Sequence, residues 1–458
     1  MPKPLLLALD QGGHASRALL FDGSGEQVFE ASAPVRLLTP GTDRAEYDPA
    51  ELLECLRKPL LEALEHASGR ITAIGLATQR SNVACWDPTS GEAKGPVLGW
   101  QDRRGRALVE GLRPWAEEIK QRSGLVLTPY YGASKLRFCL EEMGPEIHFG
   151  PMAAWLAARL TGQVPERTDP VNAQRTQLMN VRTLDWDPFL LERFGISRAH
   201  LPAIGTNTDH VGEVGGVPLT LVTGDQQAAL FAHGELDEHT AYVNAGTGAF
   251  VLRYTGARLV EHPRLLTGVL HVDEKREYLI EGTVNGAGAA LAWFQQQFGV
   301  KDLFKKLPGW LETIEPAPVL FLNTVNGLGS PFWTEGPKPG FVGEGSVAEH
   351  AVAVVESVVF LIQENLQALA EVLPPPERIR LTGGLARLDG LAQRLADLSG
   401  LPVERPHNFE ATARGTAFLL AGRPAGWETP IKRFLPRKNP ALNAAYARWQ
   451  KALAAQLP

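Results

Sequence analysis

The sequence predicts an α/β protein of two similar domains that face a cleft. Three observations predict it. Strand-like and helical patterns follow each other as strand, helix, strand between residues 27 and 86. A hairpin with a glycine turn at residues 5–21 recurs in architecture, though not in sequence, at residues 241–254. The length of 458 residues leaves room for two domains, each with its own core.

The first hairpin reads LLLALDQGGHASRALLF. An apolar run ends on Asp10, a turn of small and polar residues follows, and a second apolar run returns. Gly12 and Gly13 let backbone N–H groups approach an anion, and Asp10 stands where a divalent cation would bridge protein and phosphate. Residues 27–31 form a third short strand. Residues 49–68 carry Leu52, Leu53, Leu56, Leu60, Leu61 and Leu64 at helical spacing. Residues 71–78 and 83–86 are strands around the turn Gln79-Arg80-Ser81-Asn82. Another strand ends in the polar cluster GWQDRR, and helices are expected over residues 107–123 and 153–160. The strand at 217–223 leads into Gly224-Asp225-Gln226-Gln227 and a helix, the strand-end position at which α/β sheets bind ligands.

A polar junction, LDEH, precedes the second hairpin, whose turn is Ala245-Gly-Thr-Gly248. Residues 280–291 are read as entering a helix of small residues. Residues 352–373 form a long helix, and a strand ends at Thr382-Gly-Gly384 before a helix over 388–398. From residue 424 the chain is a Pro- and Arg-rich tail with one short helix at 442–457.

With 44% apolar and 21% charged residues the composition is that of a globular protein. A net charge of -6 gives no electrostatic reason to expect nucleic acid or an anionic membrane as partner. Cys55, Cys85 and Cys139 are too few and too scattered for a disulfide framework, so reduced thiols and a cytoplasmic location are expected. The N-terminal apolar run stops at Asp10, well short of signal-peptide or transmembrane length.

Three glycine turns, each after an apolar strand, supply the exposed N–H groups that phosphates require. Neither a Walker A motif nor a G-x-G-x-x-G opening a helix after the first strand is present, which disfavours P-loop and dinucleotide-binding readings. Asp225 reads two ways, as a helix N-cap or as a general base for phosphoryl transfer. Arg80, Trp100 and Tyr130 pair hydrogen-bond donors with an aromatic wall, which suits a small polyhydroxylated substrate.

Taken in order, ALDQGGHASRALLFD, ATQRSNVACWD, GWQDRR, TGDQQAALFAHG, VNAGTGAFV, NGLGSPFW and LTGGLARLDGLAQRLADLSGLPV resemble the FGGY carbohydrate kinases, and their glycerol-phosphorylating branch most closely. The resemblance covers nearly the whole chain. It implies two actin-like (ribonuclease H-like) domains facing a central cleft, at residues 1–235 and 236–458. It further implies ATP and Mg2+ as cofactors and a small sugar or polyol as substrate, with a homodimer left open. Asp225 would be the catalytic base and Asp10 the metal ligand. Arg80, Ser81, Trp100, Tyr130, Asp225, Gln226 and Phe250 would form the substrate pocket. Gly12, Gly13, His14, Arg17, Gly246, Thr247, Gly288, Gly384 and Asp389 would meet the nucleotide.

The chain departs from the family at three places. Ser81 stands where the glycerol-phosphorylating branch has a glutamate, which favours a different or larger polyol or sugar. Gly13-His14-Ala15 replaces a hydroxyl-rich turn, and Ala292 replaces a glutamine that contacts nucleotide. The expected activity is ATP-dependent phosphorylation of a small sugar or polyol. Glycerol or a pentulose such as xylulose is the alternative acceptor, and a catalytically weak sugar- or nucleotide-binding sensor is the reading from another class.

Overall fold

The computed structural model describes residues 3–407 and 410–457. Its first sheet is built from β1 (Leu5–Gln11), β2 (Ala15–Asp22), β3 (Gln27–Pro34), β4 (Ile71–Thr78) and β5 (Val217–Gly224), in the order β3-β2-β1-β4-β5, with a short edge strand at Gly212–Val214. Strands β1, β2 and β3 form an antiparallel meander, while β1, β4 and β5 run parallel. The second sheet contains β6 (Thr240–Ala245), β7 (Ala249–Gly256), β8 (Leu266–Val272), β9 (Arg276–Val284), β10 (Arg378–Thr382), β11 (Val403–Pro406) and β12 (Ile431–Phe434). Its order is β8-β9-β7-β6-β10-β11-β12. The segment β9-β7-β6-β10-β11 repeats the first sheet strand for strand, again with an antiparallel meander followed by two parallel strands. The recurrence of the hairpin in the sequence is therefore the trace of a repeated topology.

Eight helices matter here: α1 (Pro49–Ala67), α2 (Gly132–Met143), α3 (Asp225–Leu230), α4 (Gly288–Phe298), α5 (Val347–Ala370), α6 (Asp389–Ser399), α7 (Ala411–Leu420) and α8 (Pro440–Ala454). Helix α1 begins where Asp48 accepts the Glu51 N–H at 2.8 Å and ends where Ser68 turns left-handed at φ 50°. It packs across β2 and β3, with β1 beside them, and its leucines enter the first core. Helix α5 has the length and hydropathy of a membrane span, yet 83% of its apolar window is buried inside the protein, as the central helix of the second core.

The two halves share a core. Ala8, Leu19, Phe21 and Leu221 of the first sheet cluster with Leu252, Leu279 and the α7 residues Ala413, Ala417 and Phe418.

Four local readings are corrected. Residues 280–284 continue β9, and the helix starts only at Gly288. Both faces of β9 are buried, so it lacks the alternation that marks a half-exposed strand. The helical stretch expected at 107–123 is two helices, Arg106–Gly111 and Ala116–Ser123, joined by a tight turn at Pro114. Gln27–Pro34 is longer than the strand expected at 27–31. The segment after residue 424 is no loose tail: it adds β12 to the second sheet and buries Trp427 and Trp449.

Candidate active site

Parallel strands β1 and β5 flank β4, where Ala77 pairs with Asp10 on one side and Thr223 on the other. Asp10 and, two residues beyond Thr223, Asp225 thus emerge at C-terminal strand ends of one sheet, one on each side of β4. Burial raises the Asp225 carboxyl above its ordinary range, opposed by Arg80 and by the Gln226 N–H, which donates to Asp225 Oδ1 at 2.7 Å. Asp225 is not the N-cap of α3. Gly224 holds that place and Asp225 is the first helical residue, which leaves its outer oxygen free of a capping role. Asp10 is pushed up to about 7, first by burial and then by the charge of Asp225.

Above these carboxylates lies a cleft of about 1650 Å³. Arg80, Trp100, Tyr130, Asp225, Gln226 and Phe250 line it, joined by Gly246 and Thr247 of the second hairpin. Arg80 donates from Nη1 to Gln227 Oε1 at 3.3 Å and from Nη2 to Gln226 Oε1. The Trp100 and Tyr130 rings lie 5.2 Å apart at 48°, and Tyr130 meets Tyr131 edge-on at 5.4 Å. Ser81 is different. It is buried and is not among the residues lining the cleft, its hydroxyl meets no partner, and its φ is 65°.

The lining also holds a buried ion pair that the sequence does not announce, Glu281 with Arg175. Glu281 of β9 accepts from Arg175 Nη2 at 2.9 Å and lies 3.7 Å from Arg80 Nη1. Burial would raise Glu281, but Arg175 and Arg80 more than offset this and hold its carboxyl below its ordinary range. A lone glutamate between Ile280 and Gly282 in an apolar strand was the available signal.

In the first hairpin the Gly12 N–H donates to Ala15 O at 3.0 Å, closing the turn. A Cβ on Gly13 would lie 2.6 Å from Gln79 Nε2, so the Gln79 side chain occupies the space a larger residue would need. His14 is exposed, and Arg17 pairs with Glu410, tying the hairpin to the start of α7. None of Asp10, Gly12, Gly13, His14 and Arg17 lines the cleft itself.

On the opposite side the Gly288 N–H donates to Gly246 O at 2.9 Å and the Ala289 N–H to Thr247 O at 2.9 Å. The N-terminus of α4 therefore braces the second hairpin with donors that are already used. Gly384 is exposed. The glycine that the backbone requires is its neighbour Gly383, at φ 89°, where a Cβ would sit 2.5 Å from Ala245 O. Asp389 is on the surface, paired with Arg405 at 2.8 Å and Lys432 at 2.6 Å.

The model of the FGGY carbohydrate kinase N-terminal domain matches residues 5–232, and that of the C-terminal domain matches residues 241–422. The chain belongs to the FGGY family of carbohydrate kinases. This FGGY kinase is 34% identical over 479 residues to the glycerol kinase of Gloeobacter violaceus, covering 98% of this chain and 96% of that one. It is 35% identical over 485 residues to the glycerol kinase of Thermus brockianus, covering 98% and 97%. Among solved structures, Plasmodium falciparum glycerol kinase with ADP superimposes with a TM-score of 0.91 at 23% identity, over 100% of this chain and 99% of that one. Ligand-bound xylulose kinase from Lactobacillus acidophilus gives 0.88 at 21% identity, over 99% of both chains. The FGGY kinase thus has the actin-like ATPase fold, with its two sheets as the repeated halves.

Proposed function

We propose that this FGGY kinase transfers the terminal phosphoryl group of ATP to a hydroxyl of a small sugar or polyol, with Asp225 as the general base. One observation carries the reading: Asp225, a guanidinium (Arg80) and an aromatic wall (Trp100 and Tyr130) line one cleft. The aromatic faces suit the C–H side of the acceptor, while Arg80 and Gln226 suit its hydroxyls. Asp225 then accepts the proton of the attacking hydroxyl, and its raised pKa brings its basicity nearer to the working pH.

The residues fit a divalent cation. Two carboxylates at strand ends on either side of β4, one pushed up to about 7 by burial and by the other, are relieved by positive charge. No group of three or more His, Cys, Asp or Glu able to hold a metal occurs among the described residues, which agrees with Mg2+ held by one or two carboxylates plus phosphate oxygens and water. Asp10 would hold it, and when bound it would neutralise charge on the phosphates. Thr247, exposed in the cleft on the second hairpin, is suited to phosphate contact, while the Gly246 and Gly12 N–H groups close their own turns. The free cysteines agree with a cytoplasmic setting.

A coupled ADP-release assay with Mg-ATP against polyols (glycerol included), ketoses and aldoses tests the proposal. Turnover of at least one acceptor, abolished by EDTA, is expected. Binding of sugar or nucleotide with no turnover of any acceptor would instead assign the chain to the sensors.

A further inference from the structure

Lys135 is fully buried in the first turn of α2. Among the described residues its ammonium hydrogen-bonds only main-chain carbonyls: it donates to Ser81 O at 3.0 Å and to Tyr130 O at 2.8 Å. The nearby carboxylate, Asp102, is already engaged by Arg104 Nε at 2.8 Å and the Ala45 N–H at 2.9 Å. Burying a cation against carbonyls alone is costly, and burial pulls the ammonium down to about 7. A packed core would be better served at this position by a leucine or methionine.

What the lysine joins accounts for it. Ser81 directly follows Arg80 and holds φ 65°, a left-handed backbone that a non-glycine residue adopts at a cost. Its side chain gives no reason for that conformation, because its hydroxyl is buried without a partner. The bond from Lys135 to its carbonyl does. The other carbonyl belongs to Tyr130, whose ring stands against Trp100. Asn82, next to Ser81, accepts the Trp100 N–H at 2.7 Å and closes the network.

We infer that Lys135 is a positioning residue of the acceptor pocket: by holding the Ser81 and Tyr130 carbonyls it sets the separation between the Arg80 guanidinium and the Trp100–Tyr130 wall, and with it the affinity for the sugar or polyol. The inference rests on the reading of that pocket as the acceptor site.

The test uses the full chain as Lys135→Met, Ser81→Gly and the double variant. It measures kcat, KM for acceptor and for ATP, acceptor affinity by calorimetry without nucleotide, and melting temperature. Lys135→Met is expected to raise acceptor KM and Kd about tenfold while ATP KM stays within about twofold. In the Lys135→Met background, Ser81→Gly is expected to recover about threefold or more, since glycine holds φ 65° without being forced there. An unchanged acceptor affinity, an equal loss for acceptor and ATP, or strictly additive variants would overturn the inference. Should Lys135→Met not fold, Lys135→Gln, which is uncharged and one bond shorter with two N–H donors on its amide, is read in the same way. If the wild type binds acceptors but turns none over, the kinase reading fails and the calorimetric comparison still decides this one. If it binds no acceptor at all, the inference falls with the pocket.

Discussion

Arg175 and Arg80 share one oxygen of Glu281: Arg175 Nη2 donates to Oε2 at 2.9 Å, and Arg80 Nη1 stands 3.7 Å from the same atom. Glu281 is 1% exposed and comes from the second sheet, whereas both arginines come from the first half of the chain. The trio therefore joins the two halves at the wall of the cleft. Removing one member of a buried ion network strands the others' charge, at a cost of about 3–5 kcal/mol. Glu281→Gln should lower the unfolding free energy by that amount in urea titrations and raise acceptor KM, because Arg80 loses an anchor. A loss under about 1 kcal/mol would mean that water screens the trio.

Asp225→Asn keeps the shape of the side chain and the N-terminus of α3 but removes the base. It should lower kcat by about 10²–10⁴ with acceptor affinity changed only a few-fold. Single-turnover measurements at saturating acceptor separate the two effects. A kcat within about tenfold of wild type would move the base elsewhere.

How much was legible in the sequence follows from how local each signal is. Asp48, Pro49 and the leucine spacing delimit α1 to within a residue, since a cap and an amphipathic face are neighbours in sequence. The strand ends at Asp10 and Asp225 were equally readable, because each is a short, largely apolar run that stops at an aspartate beside glycine. Strands β8 and β9 were not. They pair with each other as consecutive strands, but Gly268 and Gly282 break their apolar runs. Arg175 and Lys135 escape for a different reason. Each looks like an ordinary surface charge until the fold brings its partner to it from more than 50 residues away. Ser81, by contrast, is expected to face the substrate but is buried outside the cleft lining, and its left-handed φ is invisible in a sequence.

The Gly13 turn makes a sharper prediction. A threonine there would bring back one of the hydroxyls the family's turn carries, yet its Cβ would lie 2.6 Å from Gln79 Nε2. Gln79 Oε1 in turn accepts from Tyr47 Oη at 3.2 Å and Asn82 Nδ2 at 3.2 Å. Gly13→Thr alone should therefore destabilise by about 1–3 kcal/mol through overpacking and raise, not lower, KM for ATP. Combining it with Gln79→Ala should recover most of the lost stability in thermal melts. If the single variant melts at the wild-type temperature, Gln79 does not fill that space.

The last prediction concerns pH. Folding lowers the Lys135 ammonium from 10.5 to about 7 through burial. Between those values the unfolded chain holds a proton that the folded chain lacks. Stability from this group therefore rises with pH across the window, is fully present above 10.5, and is lost as pH falls through 7. Lys135→Met removes the titration and serves as the reference. The wild type should gain stability relative to it by about 1 kcal/mol per pH unit from pH 7 to 9, with a flat difference below pH 7. Urea unfolding of both proteins at half-unit pH steps measures the slope. A difference that stays flat or shrinks as pH rises would show that the ammonium remains protonated in the fold, held by the Ser81 and Tyr130 carbonyls more strongly than burial opposes it.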